Sequence, residues 1–250
     1  MSRYLRMLCP VLLCLVFAPS APAREWLAVG AEFPRLFGQT VEGRFIGLGP
    51  DVLREVVQRM GDTVRFEVYP WARAQKMVAQ GRADILIGPY RTPEREGLFL
   101  FSQRPFYRDR IVFFARSGLA LAWQGDYANL AGKRIGVIRG WTYGPSFDQG
   151  RQAMDLHSIE SVDNAIRMLV MGRIDLLASN ERNTRPRIDT LEHGAISQLQ
   201  PIIDTQDGYF AFPRTDEHAA LRKDFDHAFA SLVAEGRLSA LALRQGVTIP

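Results

Sequence analysis

Residues 81–96 read GRADILIGPYRTPERE, and this stretch decides the fold. Its apolar run, residues 83–87, is bounded by Gly81 and Gly88, a pattern typical of a buried strand in an α/β sheet. Next comes Thr92, a good N-cap residue, and the proline after it suits the first position of a helix. Ligands of open α/β sheets bind where a strand ends and a helix begins, and a neighbouring arginine favours an anion. The stretch therefore predicts an anion site at the end of a strand.

The N-terminus has the pattern of a secretory signal peptide, which we predict to comprise residues 1–23. Arg3 and Arg6 form a basic region, residues 7–17 are apolar, and residues 21–23 read APA, a small-x-small cleavage site. The apolar run is shorter than the roughly 20 residues that a membrane-spanning helix needs. We therefore expect an exported, soluble protein.

The cysteines and the net charge exclude several classes of function. Cys9 and Cys14 both lie in the predicted signal peptide, so the exported chain would have no disulfide, no thiolate metal site and no cysteine nucleophile. Removal of this segment leaves 29 basic and 27 acidic residues without a basic cluster, so we expect no nucleic-acid partner. We also expect no metal and no cofactor, because metal-ligand spacing is absent among the histidines, His157, His193, His218 and His227.

Strands and helices alternate on both sides of the opening stretch. Up to residue 87 the order is β-α-β-α-β, which predicts a parallel sheet with right-handed crossovers, and the same order repeats from residue 134. In the first half the predicted strands are residues 26–31, 64–69, 83–87 and 111–115, with helices at 52–60 and 72–80. The second half has predicted strands at 134–138, 157–161, 174–178 and 209–212, with helices at 163–171, 217–235 and 238–244.

A short internal repeat relates the two halves. Residues 81–86 read GRADIL and residues 172–177 read GRIDLL. Each copy follows an apolar helical segment and precedes a polar loop. The same placement in two similar βα arrangements predicts two related lobes.

These motifs resemble those of the periplasmic solute-binding proteins of ABC transporters, family 3, the polar amino acid group. The family pattern is a G-x-x-D strand start, then Gly-x-Thr-x-Thr-x-x-Arg, then an apolar-Phe-Ser-x-Pro-Tyr segment. Residues 81–84, 88–95 and 100–107 match these three parts in turn. The resemblance extends over nearly all of the chain that follows the predicted signal peptide.

The resemblance implies an α/β fold of the type II periplasmic-binding class, with two Rossmann-like lobes and a ligand cleft between them. Lobe 1 would be discontinuous and comprise residues 24–115 plus 206–250, and lobe 2 would be the inserted residues 116–205. The lobes would close by bending at the two crossovers, near residues 115–118 and 204–208.

The resemblance also implies a set of ligand-binding residues. In the family, the arginine that matches Arg95 grips the ligand carboxylate, for which a guanidinium offers two parallel donors. An arginine that pairs with Glu94 or Glu96 on a solvated helical turn is the alternative, and Arg139 fits a surface role equally well. The candidates are Glu32, Phe33, Trp71, Gly88, Tyr90, Thr92, Arg95, Arg139, Trp141, Thr142 and Asn180.

Two candidates depart from the family pattern. Tyr90 replaces a motif threonine, and Asn180 stands where the family has the acid that holds the α-ammonium group of the ligand. Loss of that carboxylate removes a charge-assisted contact worth roughly 1.5 to 3 kcal/mol. An unmodified α-amino acid is therefore less secure as the ligand. A carboxylate without the amine, or a ligand whose amine meets Glu32 or Glu181, fits as well.

The predicted function is binding, without catalytic residues. A monomer would capture a small anionic or zwitterionic solute, an amino acid or related carboxylate, and deliver it to the membrane permease of an ABC transporter. One alternative is an enzyme on the same scaffold, such as a dehydratase or a lytic transglycosylase, with Glu32 or Glu181 as its base. Another is a soluble sensor that reports the ligand to a signalling partner.

Overall fold

The computed structural model describes residues 23–119, 123–191 and 194–250. The predicted signal peptide lies outside these ranges except for Ala23. Within them, we find no helix that is both long and apolar enough to cross a membrane.

Strands and helices alternate along most of the chain, as the sequence predicts. The elements of the first half are β1 Glu25–Gly30, β2 Gly38–Gln39, β3 Phe45–Ile46, α1 Leu48–Arg59, β4 Thr63–Val68, α2 Trp71–Ala79, β5 Ile85–Tyr90, α3 Pro93–Glu96, β6 Phe99–Phe101 and β7 Tyr107–Arg116. Those of the second half are β8 Arg134–Ile138, α4 Pro145–Gly150, β9 Asp155–Ile159, α5 Val162–Val170, β10 Leu176–Asn180, α6 Glu181–Leu191, β11 Ile196–Gln198, β12 Asp204–Pro213, α7 Asp216–Ala234 and α8 Arg237–Gln245. Two short 3-10 helices, Tyr127–Leu130 and Arg151–Ala153, flank α4.

The main sheet has the same strand order in each lobe. Among the described residues, its path is β4-β1-β5-β12-β7-β10-β8-β9, with β6 added to β12 and β11 added to β7. Strands β4, β1 and β5 are parallel, and so are β9, β8 and β10. In both lobes the first of these three strands lies between the other two, as expected for two related units.

Two long antiparallel strands, β7 and β12, connect the lobes. They pair with each other from Tyr107 opposite Gly208 to Ile111 opposite Asp204. Residues 111–115 of β7 pair with β10 of the second lobe, so Ile111 has a partner in both strands. The change of partner at Ile111 lies before residues 115–118, where the sequence placed the first crossover.

The GRADIL and GRIDLL repeat forms the same turn twice. Gly81 and Gly172 end their helices in the left-handed region, with φ of 66° and 69°. The next residue in each copy donates its backbone N–H to a carbonyl five residues earlier, at 2.9 Å in both cases. A glycine is needed at this position because other residues rarely adopt positive φ.

Each repeat then uses its aspartate to hold the first strand of its own lobe. The carboxylate of Asp84 accepts the backbone N–H of Leu27 at 2.7 Å, and that of Asp175 accepts the backbone N–H of Arg134 at 2.9 Å. In return both aspartates donate their backbone N–H to the carbonyl of the same partner. The repeat therefore aligns two parallel strands in each lobe.

Helices α1 and α5 each bury a set of apolar residues on one face. In α1 these residues are Val52, Leu53, Val56 and Val57, and in α5 they are Val162, Ala165, Ile166 and Leu169. The α1 face packs in a cluster with Phe225 and Phe229 of α7. The α5 face packs against Val112 and Leu177 of the sheet.

The structure differs from the predicted elements in several places. Strand β5 continues through Gly88 and Pro89 to Tyr90, beyond the predicted end of the strand. Pro89 has no N–H to donate to β12, and the register between the two strands is irregular beside it. Helix α1 begins at Leu48, four residues before the predicted helix 52–60. Helix α6 occupies a segment for which the sequence predicts a polar loop.

Candidate functional site

A cleft between the lobes brings together side chains from the carboxyl ends of several parallel strands. The empty space between its walls is about 310 Å³ when the solvent at its open side is included. The residues that line it are Phe33, Trp71, Gly88, Tyr90, Arg95, Tyr107, Trp141, Thr142, Asn180, Arg182 and Asn183. This is the edge of the sheet at which the opening stretch predicts a ligand.

Arg95 lies in the single helical turn α3 and is buried, with 7% of its surface exposed. The Thr92 hydroxyl accepts the backbone N–H of Arg95 at 3.2 Å, so Thr92 is the N-cap as predicted. The guanidinium donates to the carbonyl oxygens of Tyr90 and Gly140, each at 3.1 Å. Because Gly140 belongs to the second lobe, Arg95 reaches across the cleft.

In the described part of the chain, Arg95 forms no ion pair with a carboxylate. The alternative pairing is not seen, since Glu96 lies 3.7 Å from the guanidinium of Arg91. Burial lowers the pKa of Arg95, because the surrounding protein hydrates the cation less well than water does. A buried cation in contact with neutral groups alone is suited to receive an anion.

Three aromatic rings form the walls beside Arg95. The ring centroid of Phe33 lies 5.5 Å from that of Trp71 and 6.3 Å from that of Trp141, both edge-on. The Arg95 guanidinium carbon lies 5.7 Å from the centre of the Trp71 ring. The cleft therefore offers an apolar wall from each lobe next to one cation.

Thr142 adds an unpaired hydroxyl. Its Oγ1 is the buried side-chain nitrogen or oxygen that lacks a hydrogen-bond partner in the described ranges. The loop that carries it follows β8 and leads into α4. Buried polar atoms are nearly always satisfied, so a hydroxyl that lines the cleft without a partner indicates a place for a ligand atom.

A buried ion pair forms the opposite side of the cleft. Arg182 donates from Nε and Nη2 to the two oxygens of Asp109, both at 2.8 Å. Tyr90 donates its hydroxyl to the same carboxylate at 2.6 Å. Burial alone would lower the pKa of Arg182, but the attraction of Asp109 outweighs it and raises that pKa. Burial and the charge of Asp109 raise the pKa of Tyr90, so its phenol stays protonated as a donor.

Asn180 links this ion pair to helix α6. Its Oδ1 accepts the backbone N–H of Asn183 at 2.9 Å, and its Nδ2 donates to the Tyr90 hydroxyl at 3.3 Å. The helix start requires an acceptor at this point, which fixes the orientation of the amide. Asn180 therefore acts as a neutral helix cap at the rim of the cleft.

Three of the predicted site residues lie outside this lining. Glu32 borders a neighbouring opening together with Arg35 and Arg187. The hydroxyl of Thr92 is used as the helix cap. Arg139 forms an ion pair with Glu160 at the surface, where both side chains are about two-thirds exposed (65% and 64%). The other eight predicted residues lie together.

Sequence reasoning did not select Tyr107, Arg182 and Asn183. Tyr107 is the last residue of the Phe-Ser-x-Pro-Tyr motif, so a signal was available for it. Its hydroxyl donates to the carbonyl of Gly88 at 2.7 Å. Arg182 and Asn183 follow Asn180 in the segment for which a loop is predicted, and no motif marks them.

Comparisons with a family model and with curated proteins agree on the kind of protein that this chain resembles. Residues 27–244 match the model of bacterial extracellular solute-binding proteins, family 3. The chain is 24% identical over 233 residues to the ABC transporter arginine-binding protein 1 of Escherichia coli K12, covering 92% of this chain and 93% of that one. It is 26% identical over 169 residues to the arginine-binding periplasmic protein of Mannheimia haemolytica, covering 66% and 68%.

Solved structures share the two-lobe fold. A histidine kinase sensor domain with similarity to periplasmic binding proteins superposes with a TM-score of 0.80 at 21% identity, covering 91% of this chain and 99% of that one. An ancestral arginine-binding protein bound to arginine superposes with a TM-score of 0.75 at 16% identity, covering 88% and 97%. These similarities confirm the predicted α/β fold, and the family model spans most of the chain. The chain therefore belongs to the bacterial extracellular solute-binding proteins, family 3.

Proposed function

We propose that this protein captures a small solute with a carboxylate group, an amino acid or a related acid, in the cleft between its lobes. Delivery to the membrane permease of an ABC transporter would follow. The observation that carries this proposal is Arg95, a buried cation in the cleft lining whose hydrogen-bond partners among the described residues are neutral carbonyls.

The donors of Arg95 suit a carboxylate. A guanidinium has five N–H donors in a fixed plane, and the carbonyls of Tyr90 and Gly140 take one each from Nη1 and Nη2. The remaining donors can form the two parallel hydrogen bonds of an arginine-carboxylate pair. The unpaired Oγ1 of Thr142 supports a further polar contact from the second lobe.

Closure of the lobes is the proposed capture step. We propose residues 24–115 plus 206–250 as lobe 1 and residues 116–205 as lobe 2, with bending in β7 and β12 between them. The cross-cleft contact from Arg95 to Gly140 exists only when the lobes are together. A ligand that binds Arg95 and Thr142 at once would favour the closed form.

Names of relatives support amino acids as the first class to test, since two curated relatives are named as arginine-binding proteins. A sensor role is the second candidate, because a histidine kinase sensor domain shares this fold over 99% of its length. We propose no catalytic role. Glu181 is paired with Arg110 at 3.2 Å, and Glu32 lies outside the cleft lining.

Isothermal titration calorimetry of the purified, extensively dialysed protein tests the proposal. The panel comprises the standard amino acids and simple carboxylic acids. We expect at least one to bind, and Arg95→Ala to remove most of its affinity while the far-ultraviolet circular dichroism spectrum is unchanged. Arg82→Ala is the matched control, because Arg82 is exposed and lies in the same lobe. Equal affinities for the wild type and Arg95→Ala would refute the proposal.

We further propose that the protein is exported to the periplasm as a monomer, after removal of residues 1–23. Periplasmic extracts of a strain that expresses the full chain should contain a protein whose N-terminal sequence begins at Arg24. Sedimentation of that protein should give the mass of one chain.

A further inference from the structure

We infer that the ligand of this cleft is a carboxylate that carries no free α-ammonium group. The inference rests on the proposed function and narrows its ligand class. Its basis is that none of the described residues that line the cleft offers an acidic side chain to an ammonium group.

No aspartate or glutamate is among the described residues that line the cleft, whereas two arginines are, Arg95 and Arg182. Asp109 accepts hydrogen bonds from two lining residues, Tyr90 and Arg182, and lies behind them with only 2% of its surface exposed. Asp109 balances one of the two arginines. Among the described residues Arg95 is therefore a cation without an ion-paired acid, on which the charge of Glu94 acts only from a distance, and this favours an anion over a zwitterion.

Asp109 has little capacity for another partner. A carboxylate has about four acceptor positions, and here Nε and Nη2 of Arg182 and the hydroxyl of Tyr90 take three of them. One position remains, so an ammonium group that needs more than a single acceptor would have to displace a buried guanidinium that is also held by the carbonyl of Pro34 at 2.7 Å. Displacement would leave that second cation buried without its acid.

Asn180 cannot replace the missing acid. It occupies the position at which the resemblance implies an acid, but its oxygen is committed to the N–H of Asn183. The group that it turns toward the Tyr90 hydroxyl is an NH₂ donor, which repels rather than accepts an ammonium group. Both alternatives raised by the sequence also fail, since Glu181 pairs with Arg110 and Glu32 borders another opening.

Matched pairs of ligands test the inference. Calorimetry compares each α-amino acid with the acid that lacks only its amine: alanine with propanoate, leucine with 4-methylpentanoate, and phenylalanine with 3-phenylpropanoate. For the pair whose side chain fits best, we expect the des-amino acid to bind at least about tenfold more tightly. Tighter or equal binding of the amino acid would overturn the inference while leaving the proposed function intact. Binding of no carboxylate at all would refute both.

A variant with the acid restored gives an independent readout. Asn180→Asp retains an acceptor for the Asn183 N–H, so the helix cap and the fold should persist. We expect the affinity ratio of amino acid to des-amino acid to rise at least about tenfold in this variant. Asn164→Asp adds the same charge on an exposed part of α5 and should leave the ratio unchanged. An unchanged ratio in Asn180→Asp would contradict the assigned role of this position.

Discussion

Arg95 and Arg182 cross the cleft in opposite directions. Arg95 of the first lobe donates to the carbonyl of Gly140 in the second at 3.1 Å, and Arg182 of the second lobe donates to the carbonyl of Pro34 in the first at 2.7 Å. The two lobes thus contact each other through protein groups alone. Part of the free energy of closure is therefore independent of any ligand.

Replacement of either partner of the ion pair between Arg182 and Asp109 should destabilise the folded protein strongly. Their side chains are 10% and 1% exposed, so loss of either partner leaves a charge buried without compensation. We expect Arg182→Met and Asp109→Asn each to lower the free energy of unfolding by about 3 to 5 kcal/mol. The double variant should lose less than the sum of the two. Urea denaturation of all four proteins gives this coupling energy.

Arg24→Met is the control for that cycle. Arg24 pairs with Glu217 at the surface, where both side chains are 62% exposed and solvent screens the interaction. We expect little change in its denaturation midpoint. Additive losses in the Arg182 and Asp109 cycle would show that the two residues do not act as a pair.

Thr142→Val should affect stability and affinity in opposite directions. The hydroxyl of Thr142 is buried without a partner, so its replacement by a methyl group should leave the melting temperature unchanged or raise it. The same change removes the polar atom offered to the ligand and should weaken binding about tenfold. Thr142→Ser retains the hydroxyl and is the control. Unaltered affinity in Thr142→Val would exclude this residue from ligand contact.

Gly208→Ala should destabilise the protein through Tyr107. A Cβ at Gly208 would lie 1.8 Å from a ring atom of Tyr107, which is itself buried. The ring must move, and overpacking of this kind costs about 1 to 3 kcal/mol or more. Gly38→Ala is the matched control, because no atom lies within 4 Å of the added Cβ. Thermal unfolding should show a fall in midpoint for Gly208→Ala alone, and an equal midpoint in both would disprove the clash.

Asp175 should make stability depend on acid pH. The hydrogen bond from the Arg134 side chain is the main cause that lowers the pKa of Asp175. The unfolded chain, with an aspartate pKa of about 3.9, therefore binds more protons than the folded protein, and stability falls as the pH decreases through and below this value. Urea denaturation from about pH 5 to about pH 2 should show a smaller fall in Asp175→Asn than in the wild type. Parallel curves would contradict the assignment.

The sequence predicted the elements with regular apolar patterns and the residues within motifs. The faces of α1 and α5 follow from their spacing, and the loop around Arg95 follows from a strand, an N-cap and a proline. Eight of the predicted ligand residues line the cleft for this reason. Each lies at or shortly after the carboxyl end of a predicted strand or in a family motif.

Helix α6 and the ion pair could not be predicted in the same way. The segment Glu181–Leu191 is strongly polar, contains Pro186, and buries only Asn183, Thr184 and Ile188 among its residues, so no apolar stripe marks it as a helix. Arg182 lies 73 positions from Asp109, and only the fold of both lobes brings them together. Local patterns carry no information on such a pairing.

The aspartates of the internal repeat lie at one end of the parallel strands of each lobe, and the loops that line the cleft lie at the other end. Asp84 holds β1 from the position just before β5, whereas Tyr90 ends that strand six residues later, about 20 Å away at the usual rise per residue. The contacts that align the strands of each lobe are thus distant from the residues proposed to select the ligand. Natural selection, or a protein engineer who builds a biosensor, can alter recognition at Tyr90, Thr142 or Asn180 without touching the contacts that set the strands in order.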